Sequence, residues 1–161
     1  MKNLLFTIQF EEDTTASSLI FEEVSTIASK LERAMENDSQ LGERASWFVK
    51  RLAMFKNIGK VPGVGTAPYF IVVAEKKGFP PVEQQSIAYC LENMWLKATA
   101  LDLGFQLVSA TAQMDGNPEF CAMLGISPGE WALEGCAIGY PADKLSSSIR
   151  PMVSEVTSWL E

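Results

Sequence analysis

The stretch APYFIVVAE, residues 67–75, followed by PPVEQQSIAYCLENMWLKATALDL, residues 80–103, decides the fold. The first part is a continuous apolar run bounded by a proline and by Lys-Lys-Gly, which predicts a buried central strand. The second part opens with two prolines, which suit a first helical turn, and repeats its apolar residues at helical spacing. We therefore predict a long helix that ends near Leu103, with Gly104 as its C-cap.

Upstream of this stretch, the pattern predicts one strand and two helices. Residues 3–10, NLLFTIQF, are β-branched and aromatic enough for a mostly buried strand. The Asp-Thr pair at residues 13–14 can cap a first helix ending near residue 37, and Ser39 can cap a second. Residues 59–68 hold three glycines and two prolines, so we predict a loop.

Downstream, the pattern alternates between strands and helices. We predict a strand over residues 105–111, a short helix over 118–124 ended by glycine, a strand over 131–138 and a weakly helical tail over 146–161. The order β-α-α-β-α-β-α-β-α implies an α+β fold in which helices flank a mixed, mostly antiparallel sheet. The length of 161 residues favours a single domain, residues 1–161.

Composition and charge exclude several classes of protein. Apolar residues make up 47% of the chain and charged residues 20%, which is ordinary for a globular protein. The net charge of -7 disfavours binding to nucleic acid or anionic lipid. No apolar stretch approaches the roughly 20 residues that cross a bilayer, and the N-terminus does not resemble a signal peptide. We therefore expect a cytoplasmic protein with no membrane or nucleic-acid partner.

The absence of histidine limits the possible chemistry. It removes Ser-His-Asp and Cys-His pairs, histidine-ligated metals and histidine general bases. The three cysteines are widely spaced and form no Cys-x-x-Cys pair, so we expect neither a disulfide framework nor a zinc site. We interpret all three as buried, inert thiols. Catalysis would have to use carboxylates, lysine, tyrosine, thiols or a cofactor. With a redox cofactor, the protein supplies mainly orientation and electrostatics.

Two features admit both a structural and a functional interpretation. The loop GKVPGVG, residues 59–65, resembles a phosphate cradle, but it lacks Gly-Lys-Ser/Thr and precedes a strand rather than a helix, which favours a flexible connector. A basic run on and after the second predicted helix could dock a phosphate-bearing ligand such as a pyridine nucleotide. Its acidic neighbours favour a solvated helix face. The run comprises Arg44, Lys50, Arg51, Lys56 and Lys60.

Five short motifs in the second half of the chain together resemble the nitroreductase family. None is specific by itself, but all five occur in the family's order and at plausible spacing over about half the chain. They are Ala67-Pro68, Glu92-Asn93-Met94-Trp95-Leu96, Leu101-Asp102-Leu103-Gly104, Met123-Leu124-Gly125-Ile126 and Gly139-Tyr140-Pro141.

The resemblance implies a specific fold, cofactor and reaction. Members of this family are α+β sandwiches that form intimate homodimers with flavin mononucleotide (FMN) at the interface. They pass hydride from NAD(P)H through the flavin to nitro compounds, quinones or similar small-molecule acceptors, without a histidine or an essential side-chain acid. Carried over by position, Lys144 and Arg150 would hold the FMN phosphate, and a segment beside the isoalloxazine ring would comprise Val108, Ser109, Ala110 and Thr111.

The chain departs from the family pattern at its N-terminal side. The family's Arg-Arg-Ser-x-Arg element and Ser-x-x-Asn turn, which grip the flavin, do not occur in this sequence. FMN could then be held weakly, Arg44 or Arg51 could substitute, or the flavin site could be lost. The alternative to an enzyme is a non-catalytic dimeric relative that binds a ligand or partner. A third possibility is an unrelated α+β domain that matches the motifs by chance, and such a domain would be a monomer.

Overall fold

The computed structural model describes residues 3–9, 15–143 and 150–158, and the predicted order of strands and helices is confirmed. A 3₁₀ helix is added between the third and fourth strands. The elements are β1 (Asn3–Gln9), α1 (Thr15–Asn37), α2 (Ser39–Ile58), β2 (Tyr69–Lys76), α3 (Glu83–Ala100), β3 (Gly104–Leu107), the 3₁₀ helix (Ser109–Gly116), α4 (Pro118–Leu124), β4 (Trp131–Gly139) and α5 (Val153–Val156).

The four strands form one sheet in the order β1-β2-β4-β3. All three pairings among the described strands are antiparallel, which confirms the α+β class. The predicted central strand β2 lies between β1 and β4, and its Val73 pairs with Glu134. An apolar run without polar alternation suits this interior position, because both faces of β2 are covered.

The two faces of the sheet belong to two separate apolar clusters. On one face, Phe70 and Leu133 join a cluster with Ile20 and Val24 of α1. On the other face, Val73 and Cys136 pack in a cluster with two residues of α3, Ile87 and Leu91. The alternation follows from the strand period of two residues, since neighbouring side chains point to opposite faces.

Several predicted helix ends differ from the structure. Asp38, not Ser39, caps α2, and its Oδ1 accepts hydrogen bonds from the backbone N–H groups of Gln40 and Leu41. Gly104 does not cap α3, because the helix ends at Ala100 and Gly104 begins β3. A Cβ atom at Gly104 would lie 3.3 Å from the carbonyl oxygen of Gly139, so strand packing accounts for this glycine.

The third predicted strand is too long. Only Gly104–Leu107 is extended, and Ser109–Gly116 forms a 3₁₀ helix instead. The predicted tail helix is reduced to Val153–Val156 within the described residues. The predicted cap at residues 13–14 lies outside the described residues.

Candidate functional site at the end of β3

The segment 108–111, predicted from the resemblance to contact a flavin, is fixed to the sheet by backbone hydrogen bonds. The N–H of Val108 donates to the carbonyl of Gly135 over 2.8 Å. The N–H of Thr111 donates back to the carbonyl of Val108 over 2.9 Å, and the Thr111 hydroxyl donates to the same carbonyl over 2.6 Å. Thr111 is fully buried, so its side chain holds the turn and is not exposed to a ligand.

Gly135 allows this turn to lie directly against β4. A Cβ atom there would lie 2.4 Å from Oγ1 of Thr111 and 2.7 Å from Cζ of Phe70, far inside van der Waals contact. A glycine in a strand interior often marks such a close approach. The close packing of Thr111 and Phe70 therefore requires glycine at this position.

The start of the 3₁₀ helix presents backbone donors. A 3₁₀ helix joins each N–H to a carbonyl three residues earlier, so the N–H groups of Ser109 and Ala110 have no acceptor within the helix. Ser109 is exposed and Ala110 is half-buried, whereas Val108 and Thr111 are buried. The segment can therefore offer two neighbouring N–H donors and one hydroxyl to a ligand.

A groove of about 270 Å³ lies beside this segment, between α3 and strands β3 and β4. Trp95 and Phe105 form one part of its wall, with nearly parallel rings whose centroids are 6.1 Å apart. The complete lining is Gln84, Ile87, Ala88, Leu91, Glu92, Trp95, Phe105, Leu107, Ser109 and Glu134.

Glu134 is the half-buried carboxyl group of this groove. Burial raises the pKa of Glu134, and a hydrogen bond from the Gly135 N–H to Oε1, 3.1 Å long, opposes this only in part. Burial also raises the pKa of the neighbouring Cys136 thiol to about 12, with further contributions from Cys90 and Glu134. At neutral pH, Cys136 is therefore a protonated thiol.

Within the described residues, the structure does not show the basic residues that we predicted to hold a phosphate close to the segment 108–111. Arg150 is exposed on the segment 150–158, and Lys144 lies outside the described residues. Arg44 and Arg51 are exposed on α2, as a solvated helix face predicts. The structure thus fixes the conformation of residues 108–111. That Lys144 and Arg150 bind the phosphate of a flavin held by this segment stays a prediction.

The glycine loop has structural reasons for its composition. Gly59 ends α2 in the left-handed conformation, with φ of 75°. A Cβ atom at Gly65 would lie 2.9 Å from Oγ of Ser17, and Val64 is fully buried in the core. The predicted connector is therefore a packed loop, and its glycines relieve contacts and strain.

Sequence patterns do not predict that Glu134, Trp95 and Phe105 line a groove. Glu134 carries a signal that could have been used, because it is the one charged residue in the otherwise apolar strand WALEGCAIG. Trp95 belongs to the apolar face expected for α3, yet 43% of it is exposed. The described part of the chain contains neither a helix that could span a membrane nor a group of residues suited to bind a metal ion.

Comparisons with known proteins identify the fold class and then the family. The chain is similar in fold to a nitroreductase with bound FMN from Bacteroides fragilis, with 17% identity and a TM-score of 0.56 over 99% of this chain and 76% of the other. A BluB-like flavoprotein from Clostridium difficile has 18% identity and a TM-score of 0.58 over 99% of this chain and 80% of the other. Iodotyrosine deiodinase bound to FMN and 3-iodo-L-tyrosine has 18% identity and a TM-score of 0.53 over 94% of this chain and 73% of the other.

The family is established by the sequence itself. The nitroreductase family model matches residues 9–140, most of the chain. No curated protein matches the chain closely enough to add a more specific comparison. The chain belongs to the nitroreductase family.

Proposed function

We propose that this chain is a homodimeric, FMN-dependent oxidoreductase that passes hydride from NAD(P)H to a nitro compound, a quinone or a similar small acceptor. Membership of the nitroreductase family supports the flavin chemistry. Two similar structures, the Bacteroides fragilis nitroreductase and iodotyrosine deiodinase, hold FMN. The observation that carries the proposal is the segment 108–111, fixed to β4 with its first N–H groups unused within the 3₁₀ helix.

The chemistry of this segment suits the edge of a flavin ring. The ring nitrogens and carbonyl oxygens of a flavin accept hydrogen bonds, and backbone donors near them tune its electronics. Ser109 and Ala110 would supply such donors, while Val108 and Thr111 keep the turn in place. Lys144 and Arg150 would bind the phosphate through charge-assisted hydrogen bonds, which are among the strongest in proteins. FMN, when bound, would supply the hydride chemistry itself.

The exposed side of α2 supports a homodimer. Trp47, Met54 and Ile58 follow one another at helical spacing and are 63%, 47% and 48% exposed. An exposed apolar stripe of this kind marks an interaction site, and a second copy of this chain would bury it. Light scattering should give a mass twice the 17.7 kDa of one chain. A monomeric mass would contradict the proposed dimer.

Turnover tests the proposed reaction. Purified protein incubated with FMN should oxidise NADH or NADPH when a quinone or nitroaromatic acceptor is added, and omission of FMN from flavin-free protein should abolish the reaction. A protein that binds FMN but shows no turnover with either nucleotide would contradict an enzymatic role. That result would favour the non-catalytic dimeric relative.

A further inference from the structure

The groove between α3 and β3–β4 has a composition that hydride transfer by a flavin does not require. Ile87 and Leu91 are buried core residues of α3 that contribute apolar surface to it. Leu107, at the end of β3, is 52% exposed and extends this surface to the outside. The groove therefore offers an apolar surface that is open to a ligand.

The aromatic wall favours a flat ligand. The rings of Trp95 and Phe105 are inclined by only 9°, so they are nearly parallel. Trp95 remains 43% exposed, which leaves part of its ring available for stacking. Indole is the aromatic side chain that attracts cations most strongly through its ring face.

The charged residues of the groove are all acidic. Glu134 and Glu92 are its charged lining residues, and the lining drawn from the described residues contains neither lysine nor arginine. Three further titratable groups lie in this part of the sheet: the thiols of Cys136, on the same strand, and Cys90, on α3, and the buried carboxyl group of Glu75. Glu75 lies two residues along β2 from Val73, the residue that pairs with Glu134, and therefore on the same face of the sheet. Both salt bridges among the described residues lie elsewhere, at Lys76 and Lys77. The Glu134 carboxylate is thus partly desolvated and has no cationic partner in the described part of the chain.

We propose that this groove binds a planar aromatic cation, with the positive group paired to Glu134 and the ring stacked on Trp95. A half-buried carboxylate favours a cation that replaces its lost hydration, and an amidinium or aminopyridinium group can donate two parallel hydrogen bonds to it. The volume of about 270 Å³ suits one ring or two fused rings, since pockets for larger ligands run from roughly 300 Å³ upward. Ser109 also lines the groove, so this ligand would lie next to the proposed flavin segment.

Calorimetric titration of flavin-free protein tests this site separately from the proposed flavin chemistry. The probes are benzamidine, its neutral analogue benzamide, the anion benzoate and the non-aromatic cation acetamidine. We expect benzamidine to bind at least about tenfold more tightly than each of the other three, because only benzamidine combines charge and ring. Equal affinity for benzamide, or no benzamidine binding at millimolar concentration, would overturn the proposal.

Substitutions identify the residue that pairs with the cation. Glu134→Gln keeps the size of the side chain and should weaken benzamidine binding about tenfold or more. Trp95→Leu should also weaken it, whereas Glu22→Gln on α1 is the matched control and should leave it unchanged. In the wild type, affinity should fall on acidification at higher pH than for an ordinary glutamate, because burial raises the pKa of Glu134.

The pH profile separates pairing from a structural effect. In Glu134→Gln, the dependence on pH should flatten, while thermal unfolding should show that the variant is folded. Glu22→Gln should keep the wild-type profile, because Glu22 is exposed on α1 and does not line the groove. An unchanged dissociation constant in folded Glu134→Gln, or an unchanged pH profile, would overturn the pairing with Glu134.

Discussion

The N–H of Val108 donates a hydrogen bond to the carbonyl of Gly135 over 2.8 Å, and this contact joins the end of β3 to the middle of β4. The turn that follows begins a 3₁₀ helix, whose first N–H groups are not used within the helix. The same strand β4 carries Glu134, whose carboxyl group lines the neighbouring groove. This contact therefore fixes the proposed flavin segment beside the strand that carries Glu134.

The contact between Gly135 and its neighbours makes Gly135→Ala a strong test of the packing. The added Cβ would overlap Thr111 and Phe70, so we expect a loss of about 1–3 kcal/mol in the free energy of unfolding. Gly42→Ala is the matched control, because it lies in α2 and a Cβ atom added there would meet nothing within 4 Å. Alanine there should stabilise the protein by about 0.5–1 kcal/mol. Urea unfolding measures both, and equal effects would contradict the packing described for Gly135.

Ser109→Pro tests the role of the backbone donor. Proline removes the Ser109 N–H, yet it is tolerated in the first position of a helix. We expect weaker FMN binding by about tenfold in Ser109→Pro, the effect of one lost hydrogen bond of about 1.4 kcal/mol. Ser109→Ala keeps the N–H and should bind FMN as the wild type does. Fluorescence quenching of FMN gives both constants, and equal binding by the proline variant would show that this donor is not used.

The raised pKa of Glu134 predicts how stability changes with pH. The folded protein binds the Glu134 proton more tightly than the unfolded chain, so the group favours folding below its unfolded pKa. This contribution is lost as the pH rises through the folded pKa. Glu134→Gln should therefore gain stability relative to the wild type as the pH rises from below the ordinary glutamate pKa through the raised pKa of folded Glu134. Urea unfolding at each pH measures the difference, and a constant difference would contradict the raised pKa.

The three cysteines should differ in reactivity. Burial raises the pKa of both Cys121 and Cys136, whereas Cys90 is half-buried. Since the thiolate is the reactive form, iodoacetamide should label Cys90 first in the folded protein. Cys121 and Cys136 should react only after unfolding, as peptide mass spectrometry would show. Early labelling of Cys136 would contradict its buried position in the sheet.

Hydrophobic pattern is sufficient to predict the order of strands and helices. The apolar run of β2 and the helical spacing of α3 each extend over several residues, so they predict the element type well. The predicted end of β3 is wrong because residues 105–111 are as apolar as a strand, whereas the N–H and the hydroxyl of Thr111 donate to the carbonyl of Val108 and turn the chain. Glycine is a weak guide at Gly104, because a cap and a close strand contact require the same residue.

The candidate site is predictable only in part. The resemblance supplies residues 108–111, and the structure shows how Thr111 and Gly135 fix them. The groove could not be predicted, because Trp95, Phe105 and Glu134 lie on three separate elements that meet only in the folded chain. Pairing of β3 with β4 and packing of α3 on the sheet bring these residues together.

The visible absorption spectrum of the purified protein, recorded before and after incubation with excess FMN and removal of unbound flavin, tests the central claim most directly. We predict flavin absorption bands that remain with the protein, with FMN content approaching one per chain after incubation. A folded protein that stays colourless after this treatment would contradict the claim that it uses FMN.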